Sequence, residues 1–541
     1  MRVRGRSIGE HDDGDCDMTQ QRVGRRGVLA GGATLAAAGI IRPREARAAK
    51  PVVAVWESEV VILDPYLTTA TITRTFATHV YDTLFGMNEA GEIKPQMLEG
   101  YEASADKLTW NFRLRSGLKW HDGEPVTAAD CVASLDRWMP KDPLGRMLKT
   151  ATASLAATDA RSFRLVLKQP FPMLLQVLGK PNAPLPVIMP ARVVAEAGDG
   201  RIKGAIGSGP FRFLPDRWKT GASMMLERNP DYVARAEPAD FLAGGKSVKI
   251  DQLDLRVMPD ANTGSTALIA GEIDYMQFLP FDNLELLEKA RGLRLFGAMG
   301  IHMYQGNFRL NHAYPPFDNP KVRQVMWKLV DQASILEAIG IPAKYRLDRC
   351  DSFFMCDTPY STNAGAEVAR FDVAAAKAEL AASGYKGEPV VIMDIAGSIA
   401  ETASRVLQQA MKQAGFNVQA QQMDWGTVLA RRAKKEGWSM FPVYSNGTDM
   451  LNPLTHFYVA STCADYPGWS CDTRIPLLLE QFTKADGLAA QQKLAAEIQQ
   501  LTYALTPAVM WGQFTRPAGY RTTLRNFIES SYPMFWQVEK A

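Results

Sequence analysis

The sequence predicts an α/β protein of several lobes with an α+β piece inserted among them. Three observations lead there. At 541 residues the chain is too long for one ordinary domain, and length alone points to about three. Segments of strand period and of helix period are mixed without a regular repeat, which argues against a barrel or an all-β sandwich. Proline-rich breaks at "KPNAPLPVIMP" and "HAYPPFDNP" separate the blocks. The composition, 46% apolar and 22% charged, is that of an ordinary globular protein and leaves no room for a low-complexity tail.

The N-terminal segment reads as a signal peptide over residues 1–48. Arg25 and Arg26 precede an apolar run from Val28 to Ile41, and Ala46-Arg47-Ala48 closes the segment with a small-x-small cleavage pattern. Fourteen weakly apolar residues are too few to cross a hydrocarbon core of ~30 Å, so the run is an h-region rather than an anchor. The paired arginines predict twin-arginine export, although Gly24 stands where Ser or Thr is usual. Met18 is a natural start, because residues 1–17 add nothing to the signal. The segment holds nine Arg and six acidic residues, so of 61 basic and 58 acidic residues the mature chain keeps 52 of each. A net charge of zero leaves no footprint for nucleic acid. With no second long apolar run, the mature protein is expected to be soluble outside the cytoplasmic membrane.

Four elements follow along the chain. In "KLTWNFRLR", Leu108, Trp110, Phe112 and Leu114 alternate with polar residues, which predicts a half-buried strand. "TAADCVASLDRW" starts a helix with Thr127 as N-cap and Asp130 three residues later, the spacing of a capping box. "SFRLVLK" repeats the strand period with Phe163, Leu165 and Leu167 on one face. "DVAAAKAELAASGY" is a second helix, capped by Asp372 and stopped at Gly384. Between the first strand and the first helix, His121-Asp122-Gly123 reads as a polar turn, since no nucleophile accompanies the pair. Trp110 and Trp120 read as core.

Four of the six cysteines form two close pairs in loop-like sequence, Cys350/Cys356 and Cys463/Cys471. Two disulfides fit an oxidising compartment. The alternative, a four-cysteine zinc site, suffers from spacings wider than zinc hooks favour. Cys131 falls on the apolar face of a helix and reads as a small buried hydrophobe.

The motifs then carry a resemblance. "LDPYLTT", "VYDTLFGMNEAGEIKPQMLEGYEAS", "LTWNFRLRSGLKWHDGEPVTAAD", "IGSGPFRF", "LERNPDY", "LIAGEIDY", "PPFDNPKVRQVMWKLVDQ" and "LLLEQFTKADG" occur in an order that resembles the family 5 extracellular solute-binding proteins, the oligopeptide, dipeptide and nickel receptors of ABC importers. The resemblance covers the whole mature chain. It implies a periplasmic-binding-protein type II fold: two lobes around a cleft, with an extra α+β domain inserted in the first lobe. Mapped here, lobe I takes residues 49–88, 206–305 and 506–541, the extra domain 89–205 and lobe II 306–505. It implies a periplasmic monomer that captures a peptide-like or other small organic solute by hinge closure and hands it to the permease subunits, with no cofactor and no nucleic acid.

No catalytic motif competes with that reading. The chain lacks G-x-S-x-G, H-E-x-x-H, C-x-x-C and a P-loop, and "GSGPF" at Gly207–Phe211 lacks the remaining glycines and the Lys of a phosphate loop. An extracytoplasmic hydrolase is the alternative of another class, and nickel or a metal chelate the alternative ligand. His456 is the only histidine near the expected cleft.

The richest stretch for a cleft is "GWSMFPVYSNGTDMLNPLTHFY", where Tyr444, Ser445, Asn446 and Asp449 cluster in a loop after a strand-like run. In the resembling receptors a carboxylate near here pairs with a peptide ammonium, and Asp449 is the nearest match, although the stricter dipeptide pattern is not reproduced. No Lys or Arg occurs between Trp438 and Trp469, so the loop is expected to favour a positively charged group. Tyr66, Trp469 and Trp511 complete the expected ligand residues as aromatic walls.

Overall fold

The structure, a computed structural model, describes residues 50–541; the expected signal peptide, its cleavage site and the start at Met18 lie outside the described residues. Two sheets organise the chain. The first has seven strands in the order Phe211–Phe213, Ser223–Arg228, Gln252–Arg256, Val52–Val55, Tyr275–Met276, Ala518–Arg521 and Leu293–Phe296. Its central strand, "VVAV", is buried along its whole length and pairs in parallel with a neighbour on each side. An unbroken apolar run is what a strand covered on both faces requires. At the C-terminal end, Lys540 Nζ donates to the Pro51 carbonyl (2.8 Å) and to Asp274 (2.7 Å), tying the two ends of the described chain to this sheet.

The second sheet has six strands in the order Arg346–Leu347, Ala508–Phe514, Tyr304–Leu310, Met440–Asn446, Pro389–Ile395 and Asn417–Met423. The chain passes from the first sheet to the second between Phe296 and Tyr304, and returns between Phe514 and Ala518. The return therefore falls later than the expected boundary at 506. The reason is pairing: all seven residues of Ala508–Phe514 are buried, and the strand fills the free edge of Tyr304–Leu310.

Residues 98–167 supply a four-stranded antiparallel sheet, Leu98–Ala103, Thr109–Leu114, Ser162–Leu167 and Thr152–Ala157. Trp110, Phe112 and Leu114 are buried as the alternation predicts. The helix Ala128–Trp138 carries both bonds of the Thr127–Asp130 capping box, and the helix Val373–Ala382 is capped by the Asp372 side chain. Cys131 is buried and unbonded. A buried ion pair fastens this part to the segment that follows the central strand of the first sheet: Asp64 with Arg137 (2.6 Å). His121 joins the same seam, receiving a bond from Gly207 N (3.3 Å) and contacting the Gly209 carbonyl (3.1 Å), while Asp122 pairs with Arg192. Gly207 has no room for a side chain, since a Cβ would stand 1.9 Å from the Val80 carbonyl oxygen. "GSGPF" is thus a close backbone approach at the end of the helix Thr71–Val80.

Both cysteine pairs are bonded, Cys350 to Cys356 and Cys463 to Cys471.

Candidate functional site

The loop that follows Met440–Asn446 behaves as a capped turn. Asn446 Oδ1 accepts from Thr448 N (3.1 Å) and Thr448 Oγ1 (2.8 Å), which holds residues 447–449 in a single helical turn and fixes the direction of Asp449. Asp449 has a partner of its own. Arg74 Nη1, from the helix Thr71–Val80 beside the first sheet, donates to its Oδ1. The two side chains are 1% and 13% exposed, so the pair is shielded from solvent. Burial pushes the Asp449 carboxyl up from its ordinary range, against the attraction of Arg74. Tyr532 completes the junction: its ring lies 4.7 Å from the Arg74 guanidinium, and its hydroxyl meets Thr448 Oγ1 at 2.7 Å.

The expectation of a cationic solute did not include this partner. The loop contains no base in its own sequence, but one reaches it from 375 residues away and neutralises its carboxylate.

Two further charges face the junction. Glu57, just past the strand Val52–Val55, is partly buried, and its backbone N donates to Gln277 Oε1 (2.9 Å). Burial, only partly opposed by Arg74 and Arg516, raises its pKa to about 7. Arg516 stands in the returning segment between the sheets. Its guanidinium stacks 3.7 Å above Phe278, and Nη1 donates to the Tyr444 hydroxyl (2.9 Å). Tyr304 packs edge-on against Phe278 (5.8 Å) and Tyr444 (5.7 Å), with its hydroxyl buried and unpartnered. A cavity of about 10 Å³, the size of one water, lies between Arg516, Phe278, Tyr304 and Ser531. The elements meeting here come from both sheets and from a crossing segment.

The other crossing segment is also tied. His302 Nδ1 lies 3.2 Å from Ser531 Oγ, and Nε2 lies 3.0 Å from Glu89. Phe241 stacks edge-on over its imidazole at 5.0 Å.

Of the residues expected to bind ligand, Tyr444 and Asp449 are at this junction and Asn446 supports it from beneath. Ser445 is partly exposed on the same strand. The three aromatic walls are elsewhere. Tyr66 is 2% exposed, donates its hydroxyl to the Val187 carbonyl and packs under Arg137, because it belongs to the seam with the inserted sheet. Trp511 is wholly buried against Gly306, and its indole N–H donates to the Val443 carbonyl (3.2 Å). Trp469 covers Trp438 in the loop closed by Cys463–Cys471 and donates to Asp465 (2.9 Å). His456 is fully buried between Phe353 and Tyr458, and burial lowers its pKa to about 3. Glu57, Arg74 and Arg516 were missed from the sequence. One signal was present: Arg74 is the only Lys or Arg in "TITRTFATHV", a helix buried from Ile72 to Val80.

Glu57 gives the site a pH dependence. Its folded pKa of about 7 lies above the ordinary 4.5, so the folded protein holds a proton that the unfolded chain releases. Stability is therefore complete below pH ~4.5 and falls as pH rises through ~7, by up to about 3 kcal/mol. Glu57→Gln should be more stable than wild type at pH 8 and equal to it at pH 4. Urea midpoints that keep the same gap at both pH values would count against this assignment.

Residues 92–468 match the model of the bacterial extracellular solute-binding proteins, family 5 Middle. A probable peptide ABC transporter periplasmic-binding protein, y4tO of Sinorhizobium fredii, is 33% identical over 525 residues, covering 95% of this chain and 98% of the relative. The glutathione-binding protein GsiB of Escherichia coli is 27% identical over 408 residues, covering 73% and 74%. Among solved structures, the Helicobacter pylori periplasmic binding protein DppA in complex with peptide STSA superposes with a TM-score of 0.77 at 19% identity, over 91% of this chain and 98% of that one. The Agrobacterium tumefaciens binding protein AgaA in complex with agropinic acid gives 0.76 at 21% identity, over 91% and 99%. These two share the fold.

Proposed function

The chain belongs to the family 5 extracellular solute-binding proteins of bacteria, the receptors of ABC importers, and from that premise we propose that it captures a small peptide-like solute between its two sheets. The observation that carries this reading is the Arg74–Asp449 contact, a buried ion pair whose partners belong to opposite sides of the cleft. A cleft with its own charge pair across it has a defined closed form, and the two crossing segments, residues 297–303 and 515–517, are the hinge. Because the closed site has room for little more than a water, solute enters only when the sheets separate. Glu57, Arg74, Tyr304, Tyr444, Asp449 and Arg516 are the proposed contact residues.

The peptide-like class rests on relatives named for peptides and for glutathione, and on a site that offers both signs of charge beside aromatic rings. The expected signal peptide would deliver the protein to the periplasm, where it would act as a monomer on its permease.

Solution scattering and melting test the proposal together. The solute that co-purifies should be identified by native mass spectrometry, removed and added back. Adding it should lower the radius of gyration and stabilise the protein by about 2.7 kcal/mol at 100 times the dissociation constant. Superimposable scattering curves with and without a tightly held solute would overturn the clamp.

A further inference from the structure

The strand Tyr304–Leu310 alternates in character, yet both of its faces are buried. Tyr304, Phe308 and Leu310 enter the apolar core, whereas Gln305, Asn307 and Arg309 are polar and at most 1% exposed. A polar group taken out of water needs a partner, and a charge needs one most. The other buried Lys and Arg side chains among the described residues have theirs. Arg74 has Asp449, Arg137 has Asp64, Lys180 has Asp142 and Lys246 has Asp82. Arg323 donates to the carbonyls of Phe317, Asp318 and Leu505. Arg309 has less. Its Nε donates to the Pro467 carbonyl (2.9 Å), its Nη1 is buried without a partner, and among the described residues no carboxylate pairs with it. The groups around it add donors. Its guanidinium lies 4.5 Å from the Tyr458 ring and 5.6 Å from the Tyr466 ring, and Gly468 passes so close that it has no room for a side chain. His456 packs on the same Tyr458 ring at 5.7 Å, fully buried, with both ring nitrogens unpartnered. Ser461 and Ser470, beside and within the loop closed by Cys463–Cys471, have buried hydroxyls without partners. Asp465, the one acid in residues 457–471, accepts from the Trp469 indole instead. Burial lowers the Arg309 pKa, and Arg432 adds a like charge nearby.

We infer that Arg309 and His456 hold a small monovalent anion of the halide class, at the end of the second sheet away from the cleft. One guanidinium balances one negative charge, and the imidazole, kept neutral by burial, supplies a single N–H. A doubly charged oxyanion would bring more charge than these groups offset, and would itself be costly to bury. The place is remote from the proposed solute site. Arg309 pairs with Phe441 and Ala508, roughly 17 Å along the strand from Tyr304 and the crossing segment. The inference is therefore independent of solute capture. An anion here ties the central strand of the second sheet to the disulfide-closed loop, which otherwise meets Arg309 through the Pro467 carbonyl and two aromatic rings.

The test uses the full mature chain, dialysed into potassium gluconate to remove halide. Melting is then followed in potassium bromide and in potassium gluconate at equal ionic strength. The wild type should melt higher in bromide, gaining about 2 °C for each tenfold rise once the site is filling. Arg309→Met, which keeps the length of the side chain and removes its charge, reports the general effect of each salt and should lose that gain. In wild-type crystals soaked in bromide, anomalous scattering should place a peak in contact with Arg309 Nη1 and a ring nitrogen of His456. Equal wild-type melting temperatures in the two salts would overturn the inference, as would a bromide gain that persists in Arg309→Met. So would an ordered water bonded to Nη1 with no anomalous peak. Should Arg309→Met not fold, the anomalous map of the wild type decides alone.

Discussion

Arg74→Met should destabilise the closed form by about 3–5 kcal/mol, the usual cost of removing one partner from a buried ion pair. The loss arises because Asp449 would remain buried with no counter-charge; its carboxyl already sits above its ordinary range while Arg74 is present. The open form pays no such penalty, since separation of the sheets returns Asp449 to water. The measurable result is a variant that folds, has a larger radius of gyration without solute, and binds its solute at least a hundredfold more weakly. The deficit should shrink as pH falls, because protonation of Asp449 removes the stranded charge. The double variant Arg74→Met/Asp449→Leu tests the pairing. Exchanging a buried ion pair for apolar side chains is often neutral, so the double should recover most of the loss. A double variant as impaired as the sum of the two singles would show that the residues do not act as a pair.

Trp511→Ala should cost about 3–5 kcal/mol in global stability, the range for deleting a large buried aromatic side chain. The indole is stacked on Phe514 at 5.2 Å and covers Gly306 so closely that a Cβ there would come within 2.0 Å of the ring. Gly306 is therefore glycine to admit Trp511, and the strands Tyr304–Leu310 and Ala508–Phe514 are registered by that fit. The urea midpoint at constant pH reads the loss. Trp511→Phe should restore about half of it. An alanine variant with wild-type stability and impaired solute binding would return Trp511 to the ligand wall expected from the sequence.

These two residues show where sequence reading succeeds and where it stops. Local signals survived intact: the Thr127–Asp130 box, the Asp372 cap and the alternation through Trp110, Phe112 and Leu114 each depend on neighbours within a few positions. The ordered motifs identified the family for a related reason, since each marks a local turn or strand whose chemistry is read in place. The cleft is different. Arg74 and Asp449 belong to separate sheets, and nothing around either residue announces the other. Tyr66 and Trp511 are buried where the sequence suggested ligand walls, because an aromatic residue in a loop or strand can face core or cleft. Only the packing of Gly306 and the seam around Asp64 decide which. The loop at 444–449 was legible as a turn because its turn chemistry is local, but the base that faces it was not, because that depends on the rest of the fold.

The first sheet carries a consequence for how the polypeptide is made. Its central strand, Val52–Val55, leaves the ribosome early, yet its parallel neighbour is translated about 200 residues later. The gap between Tyr275–Met276 and Leu293–Phe296 is bridged only by Ala518–Arg521, near the end of the sequence. The second sheet lies between those points in translation order. It can assemble while the first is still incomplete, although its strand Ala508–Phe514 also arrives late. Nascent chains stalled before residue 508 would thus hold an apolar strand with no finished sheet to enter, and would need a chaperone to hold them until synthesis ends.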